Sequence, residues 1–185
     1  MAASLHERLH FDTAHGQVLD AGRRYLLLRS DVLMGLFDRL PDAARAEALR
    51  AFGRSVAELG SDSVQAYAAT AGAGALPAMM EGAAASLGWG RWHLRQTTSG
   101  SAPRSLTLEV ENSPFAAAST RAAAPACHAI AGMLEALAGA LWNEPASARE
   151  TWCAAEHGGA RCEFSAVAQA TLAAVPAHRP SPSSP

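Results

Sequence analysis

The order of hydrophobic and polar positions predicts that the chain begins with a small antiparallel meander. Short apolar runs at residues 8–11, 17–20 and 24–29 are separated by turn and polar residues. Runs of this length with such boundaries are typical of strands. Residues 1–8, where the chain starts, are expected to be a frayed N-terminus.

Helical spacing of apolar residues follows the meander. Residues 32–40 predict a first short helix, and Pro41 is expected to open a longer second one. Gly60 is expected to interrupt that second helix, because glycine is a poor helix former. Pro77 is expected to start a further helix. The middle of the chain is therefore predicted to be helical.

From residue 89 onward the pattern returns to strands. Alternating apolar and polar residues predict strands at 89–96 and 105–111, and the Ser, Gly and Pro residues between them predict a loop over 97–104. Pro125 is then expected to open an apolar helix that runs to Trp142. A segment that contains two of the three cysteines follows this helix.

Length, charge and composition exclude several classes of protein. The 185 residues fit one domain, expected over 9–170, and the Pro- and Ser-rich tail at 171–185 is expected to be disordered. No apolar run reaches the roughly 18 residues that span a bilayer. The net charge of -2, without a basic run, argues against direct nucleic-acid binding. Because the N-terminus has no export signal, a cytoplasmic location is expected.

The three cysteines lie in the last third of the chain, close to one glutamate. Cys127, Cys153 and Cys162 together with Glu150 make a ligand set that suits a closed, four-coordinate zinc site. The run from Cys153 to Cys162 is interpreted as two strands joined by a tight His157-Gly158 turn, which would place the two cysteines directly opposite each other. Glu150 would need a bulge or turn to reach the same side, and Cys127 would arrive from the preceding helix.

A disulfide between Cys153 and Cys162 is the alternative interpretation. The same separation permits it, and a secreted protein would favour it. It would leave Cys127 as an odd thiol, whereas a metal site uses all three cysteines. A cytosolic chain also keeps its thiols reduced.

Five large aromatic residues are candidates for lining a ligand pocket, although such residues are often plain core. They are Trp89, Trp92, Phe115, Trp142 and Trp152. The sequence has no nucleophile elbow, no phosphate loop and no dinucleotide-binding glycine motif. A zinc ion with four protein ligands would also have no open position for a substrate. These observations favour a binding protein over an enzyme.

Short motifs in the C-terminal half resemble the 4-vinyl reductase domain family, which also supplies the sensor domains of aromatic-responsive bacterial transcription activators. The motifs are Leu87-Gly88-Trp89-Gly90, Val110-Glu111-Asn112-Ser113-Pro114-Phe115, Pro125-Ala126-Cys127 with Ala131-Gly132, and Glu150-x-x-Cys153 with Cys162-Glu163-Phe164. The resemblance covers about residues 87–166, and Gly22-Arg23-Arg24 more loosely. It implies an α+β fold like that of TRAPP-type trafficking subunits, in which an antiparallel sheet packs against helices, and a homodimer. In sensor members, the residues that match Cys127, Glu150, Cys153 and Cys162 bind a structural zinc beside an apolar ligand pocket.

The chain departs from phenol-sensing members of the family at the pocket. Those members hold the phenolic hydroxyl with a histidine and a tryptophan that precede the cysteine helix. Here the only histidine between Leu59 and Cys127 is His93, beside Trp92 on a predicted strand. This departure argues against a phenol-type sensor. No ATPase or DNA-binding module follows the domain, so signalling is expected to need a partner protein.

Three functions are consistent with these features. The first is a cytosolic, zinc-containing domain that binds or senses a small apolar or aromatic molecule. The alternative is an accessory protein or reductase-associated factor in tetrapyrrole (bacteriochlorophyll) biosynthesis, by analogy with family members encoded among bacteriochlorophyll genes. The third is a protein-interaction scaffold with a vestigial pocket, because small residues dominate residues 66–85.

Overall fold

Two antiparallel sheets and two long helices carry the fold. A computed structural model describes residues 5–97, 104–121 and 124–169 of the chain. In chain order the elements are α1 (Leu5–Arg8), β1 (His10–Asp12), β2 (Gln17–Asp20), β3 (Arg23–Tyr25), α2 (Ser30–Asp38), α3 (Asp42–Ala71), α4 (Leu76–Ser86), β4 (Arg91–Thr97), β5 (Ser105–Glu111), α5 (Pro114–Ala118), α6 (His128–Trp142), β6 (Ala146–Trp152), α7 (Ala154–His157) and β7 (Arg161–Ala168).

The predicted meander is a three-stranded antiparallel sheet in the order β1-β2-β3. Its third strand ends at Tyr25, earlier than predicted, and the residues Leu26–Leu28 that follow are between 51% and 82% exposed. Helix α1 is a single turn within the segment that was expected to be frayed. Arg8 at its end donates a hydrogen bond of 3.0 Å to Asp20 on β2, which ties α1 to the sheet.

The second sheet has four antiparallel strands in the order β4-β5-β7-β6. On β5, Leu106, Leu108 and Val110 are at most 2% exposed and alternate with residues that face away from the core. This alternation is what a sheet with one buried face requires. The predicted strand at 105–111 is confirmed at both ends. The predicted α+β class, with antiparallel sheets packed against helices, is also confirmed.

Helix α3 runs without a break over 30 residues, so the predicted interruption at Gly60 is wrong. Gly60 lies against α6, where a Cβ added to it would be 3.1 Å from the terminal methyl carbon of Met133. Packing of α3 on α6 therefore outweighs the roughly 1 kcal/mol that glycine costs in a helix. The two helices also approach closely at Gly53 and Gly132. A Cβ added to Gly53 would lie 2.6 Å from the carbonyl oxygen of His128.

The segment between Cys153 and Cys162 is not the predicted tight hairpin. One helical turn, α7, follows Cys153, and two glycines with φ of 77° and 97°, Gly158 and Gly159, end it. The alanines of α7 favour a helical turn, and a glycine just beyond a helix can adopt the positive φ that terminates it. Cys153 therefore lies beyond the end of β6 and is not paired with Cys162.

The strand pairing around this segment still has the predicted register. Trp152 is opposite Glu163, and a bulge between Glu150 and Trp152 shifts the pairing that precedes it. Such a bulge inserts one extra residue and turns a side chain to the other face of the sheet. The sequence required this change of direction for Glu150. On the other side of the chain, α6 begins at His128 and not at the predicted Pro125.

Several expectations fall outside the described residues. They concern residues 1–4 of the N-terminus, all but the two ends of the loop at 97–104, and the tail at 171–185. Within the described ranges, no helix combines the length and the apolar character needed to cross a membrane.

Candidate metal centre and apolar cavity

Four side chains from separate segments of the chain meet at the N-terminal end of α6. Cys127 is the residue immediately before that helix, and Glu150 lies on β6 at the bulge. Cys153 follows β6, and Cys162 lies on β7. The ligand atoms of these four residues all lie within 4.8 Å of one another. The structure thus brings together every residue that the sequence predicted as a metal ligand.

The spacing of the sulfur atoms fits a tetrahedral metal ion. The Sγ atoms of Cys127 and Cys162 are 3.7 Å apart. Two thiolates bound to one tetrahedral zinc ion at about 2.3 Å would be separated by about 3.8 Å. A disulfide requires about 2.05 Å, and all three cysteines are free thiols in this structure. The alternative Cys153–Cys162 disulfide is therefore not formed here.

Glu150 has one carboxylate oxygen available for an ion. Its Oε2 accepts a hydrogen bond of 3.0 Å from the backbone N–H of Cys127. Its Oε1 is buried and has no hydrogen-bond partner among the described residues. Leaving a buried acceptor unpaired costs about 1–3 kcal/mol, which a bound cation would offset. Three thiols and a carboxylate of this kind fit the donor preferences of zinc.

The ionisation of the four groups is strongly coupled. Hydrogen bonds to the other two sulfurs, together with burial, raise the pKa of Cys127. The hydrogen bond from Cys127 lowers the pKa of Cys162, but the one to Cys153 and burial outweigh it and raise that pKa to about 12. Burial, followed by the Cys153 charge, raises the pKa of Glu150 to about 8. Hydrogen bonds from the two other thiols lower the pKa of Cys153, so the negative charge resides there. A divalent cation would stabilise all four anions, and its binding would release protons.

Two further contacts orient the sulfur atoms. The hydroxyl Oγ of Ser113 lies 3.1 Å from Sγ of Cys127 and also accepts a 3.3 Å hydrogen bond from the backbone N–H of Ala116. The backbone N–H of Ala154 donates to Sγ of Cys162 at 3.3 Å. Sequence reasoning missed Ser113. The Ser-Pro pair at the start of α5 is a recognisable helix cap, but it does not reveal the contact with Cys127.

An apolar cavity of about 300 Å³ is bounded by α3, α4, α6 and β4. Its walls consist mainly of aliphatic, thioether and indole groups, from Val56, Leu59, Val64, Met80, Leu87, Trp89, Trp92 and Met133. Leu59 is 74% exposed, so the cavity reaches the surface beside it. Ligand pockets are typically concave, mostly apolar and about 300–1,000 Å³ in size.

Two of the five predicted pocket residues, Trp89 and Trp92, line this cavity. The indole N–H of Trp92 donates to the backbone carbonyl of Trp89 at 3.1 Å, which fixes one ring relative to the other. Phe115 packs edge-to-face against Trp89, with ring centroids 5.4 Å apart, and is a core residue outside the lining.

The other two predicted pocket residues lie elsewhere. Trp142 is buried at the C-terminal end of α6. Trp152 is 45% exposed and stacks against His157 with ring centroids 4.4 Å apart. His93 does not line the cavity either. It points to the opposite face of β4 from Trp92, where its Nε2 is 4.0 Å from Glu111.

Sequence reasoning also missed residues that do line the cavity. Tyr67 was not considered, and Met80 and Met133 were interpreted as gap-filling core. A usable signal was the helical spacing of Val56, Ser63 and Tyr67 on α3, because positions about seven and four residues apart share one helix face.

The fold and site define a class: an α+β domain with an apolar cavity and, at the N-terminal end of α6, a candidate metal centre of three cysteines and a glutamate. Residues 106–168 match the family model of the vinyl-4-reductase domain. This segment contains all four candidate ligands. The resemblance to the 4-vinyl reductase domain family is therefore confirmed over these residues.

Solved structures show the same fold over most of the chain. The phenol-responsive sensory domain of the transcription activator PoxR, solved with phenol, has a TM-score of 0.72, 20% sequence identity and 90% coverage of each chain. A vinyl-4-reductase family protein from Methanocaldococcus jannaschii has a TM-score of 0.44 and 14% identity, covering 74% of this chain and 88% of its own. No curated protein matches the chain. At this identity, the likeness to the PoxR domain shows the fold alone.

Proposed function

We propose that this chain is a binding or sensing domain for a small apolar or aromatic molecule, which it holds in the cavity between α3 and α4. The observation that carries the proposal is the cavity itself. About 300 Å³ of space lies behind a mouth beside Leu59, and indole, thioether and aliphatic groups form its walls. Well-packed cores leave few voids larger than a water molecule, so a cavity of this size needs an explanation.

The walls indicate the chemistry of the ligand. Among the described residues, no side chain of Asp, Glu, Lys, Arg or His lines the cavity; its polar groups are the hydroxyls of Ser55, Ser63, Tyr25 and Tyr67. An uncharged apolar group would lose little by entering such a site, whereas an unpaired charge would pay a large desolvation cost. The two indole rings also offer flat faces for stacking an aromatic ring.

A structural zinc ion is the second part of the proposal. Cys127, Glu150, Cys153 and Cys162 would hold it, and it would supply a closed, non-catalytic link between α6 and the strands β6 and β7. Met133, which lines the cavity, lies on the same helix that Cys127 precedes. The metal would thus hold one wall of the cavity in place. Three free thiols also fit a reducing, cytoplasmic compartment.

The signalling role is proposed by analogy. The PoxR domain is described as the phenol-responsive sensory domain of a transcription activator, and it has the fold of this chain. By that analogy, ligand binding here would be read by a partner protein. We also propose that the domain works as a homodimer, as the family resemblance implies.

A ligand screen by thermal shift, with a matched pair of variants, tests the proposal. A ligand at 100 times its dissociation constant should stabilise the fold by about 2.7 kcal/mol. Ala84 is 5% exposed and lines the cavity, so Ala84→Phe should fill it and abolish the shift. Ala85, its exposed neighbour on α4, does not line the cavity, so Ala85→Phe should keep the shift. No shift from any apolar or aromatic compound, or an equal shift in the Ala84→Phe variant, would refute the proposal.

The tetrapyrrole alternative remains a prediction with its own test. Titration of the protein with a vinyl-bearing chlorophyllide, followed by absorbance, would reveal binding or turnover. If neither is seen, the alternative is removed.

A further inference from the structure

A second, polar cavity lies next to the apolar one. It has a volume of about 370 Å³ and is lined by residues of α1, the β2–β3 hairpin, α3 and α4. Its charged residues are Arg8, Asp20 and Arg23. The proposed function uses only the apolar cavity and leaves this one unexplained.

The two cavities share part of their walls. Ser63 and Tyr67, one helical turn apart on α3, line both of them. Along α3, the apolar cavity extends from these residues towards the N-terminal end of the helix, and the polar cavity extends towards its C-terminal end, as far as Thr70. The two cavities therefore lie in line along one face of a single helix.

The opposite walls show the same order. On β3, Tyr25 lines the apolar cavity and Arg23 lines the polar one. Residues two apart on a strand point to the same face, so these two side chains lie side by side. On α4, Met80 lines the apolar cavity and Met79 the polar one. Three elements thus change from apolar to polar lining in the same direction.

The polar cavity has one cation more than it has anions. Arg8 is paired with Asp20 at 3.0 Å, and the same guanidinium nitrogen donates to the hydroxyl of Tyr67 at 2.8 Å. Arg23 has no ion-pair or hydrogen-bond partner within the described part of the chain. With Arg8 neutralised by Asp20, the charge of Arg23 is available to a ligand.

We propose that the two cavities form one amphipathic channel and that its ligand is a monocarboxylate with an apolar or aromatic body. The body would lie against Trp89 and Trp92, and the carboxylate would reach past Tyr67 to Arg23. A guanidinium presents two parallel N–H donors that match a carboxylate. A single available cation suits one negative charge better than two. This inference rests on the proposed function and adds the class of ligand.

Calorimetric titration of the full chain with two matched probes tests the inference. The probes are 4-phenylbutanoate and 4-phenylbutan-1-ol, which share an apolar body and differ at the polar end. We expect the carboxylate to bind at least tenfold more tightly at low salt, and this preference to shrink as salt screens the exposed Arg23. Arg23→Gln should remove the preference and leave the affinity for the alcohol unchanged. Arg24→Gln is the matched control, because Arg24 is exposed on the same strand but lines neither cavity.

The outcomes separate the inference from the proposed function. Equal binding of both probes, or a preference that survives Arg23→Gln, overturns the channel and leaves the apolar site standing. A preference that Arg24→Gln also removes overturns the role of Arg23. Binding of neither probe counts against the channel and the proposed function together.

Discussion

Glu150 is the residue on which the metal assignment depends most. The three thiols alone would leave a zinc ion with an open position, whereas the carboxylate closes its coordination. Oε2 of Glu150 already accepts a hydrogen bond from Cys127, and Oε1 is buried without a partner in the described part of the chain. Few arrangements other than an ion would satisfy that oxygen.

Glu150→Gln should therefore weaken zinc binding by at least tenfold, because the neutral amide keeps the size of the side chain but is a poorer ligand for zinc. Competition with a chromophoric chelator measures the affinity. Glu163→Gln is the control, since Glu163 adjoins Cys162 but is 45% exposed and pairs with Arg161. If Glu150→Gln keeps stoichiometric zinc at unchanged affinity, the carboxylate is not a ligand.

The four candidate ligands could be predicted from the sequence, because residue type largely determines which side chains bind zinc. Their supporting contacts could not. Ser113 reaches Cys127 through a turn and the short helix α5, and nothing in local spacing reports that contact. Trp142 and Trp152 show the same limit for the pocket. An aromatic residue buries its ring in a core, on a surface or in a cavity, and only the tertiary structure decides which.

At the scale of elements, the crossing of α3 and α6 holds the domain together. Small residues let the two backbones approach until a Cβ on Gly132 would collide with the carbonyl oxygen of Gly53. A backbone oxygen cannot move aside as a flexible side chain can. The sequence pattern predicted both helices but not their contact, so Gly60 was expected to break α3. In the fold, Met133 of α6 packs against it.

Gly132→Ala should destabilise the protein by about 1–3 kcal/mol, because the added methyl group forces the helices apart. Urea unfolding followed by circular dichroism measures the loss. Gly139→Ala in the same helix is the control: its nearest neighbouring atom, a backbone oxygen of Glu144, would be 3.6 Å away. That variant should gain up to about 1 kcal/mol from helix propensity. Equal stability of the two variants would contradict the close crossing.

A buried ion pair joins α2 to α3 and to the chain after α5. Nε of Arg45 donates to Asp38 at 3.0 Å, and the two side chains are 5% and 8% exposed. Asp38 also accepts a hydrogen bond of 2.8 Å from the backbone N–H of Thr120. Burial alone would raise the pKa of Asp38, but the hydrogen bonds from Thr120 and Arg45 outweigh it and lower that pKa below its usual value.

This lowered pKa makes stability depend on acid. The contribution of Asp38 is complete above the unfolded-state pKa of about 3.9, and it is lost as pH falls through the lower folded-state value. Asp38→Asn should cost about 3 kcal/mol at neutral pH, because it leaves Arg45 buried without its anion. It should also flatten the loss of stability below about pH 4. Urea unfolding at neutral pH and at about pH 3 tests both effects, and an unchanged acid dependence in the variant would contradict the role given to Asp38.

At the scale of the whole molecule, one part of the surface is unusually apolar. Leu26, Leu27 and Leu28 are between 51% and 82% exposed, and Val32 and Leu36 on α2 are 54% and 60% exposed. Val32 and Leu36 lie one turn apart on one helix face. Contiguous apolar surface of this kind usually marks an interface, which supports the proposed homodimer.

Leu27→Asp should convert the dimer to a monomer, because it places a charge within this apolar surface. Sedimentation velocity at micromolar concentration measures the change. Thr107→Asp, on the exposed face of β5, is the matched control and should remain a dimer. A monomeric wild-type protein, or a Leu27→Asp variant that stays dimeric, would contradict this interface.

Native mass spectrometry of the purified protein tests the central claim most directly, because it reports metal and ligand on the same molecule. We predict one zinc ion per chain and, after incubation with apolar or aromatic compounds, one small-molecule adduct per chain. The adduct should disappear in the Ala84→Phe variant while the zinc remains. A wild-type chain that takes up neither zinc nor any such compound would contradict the account.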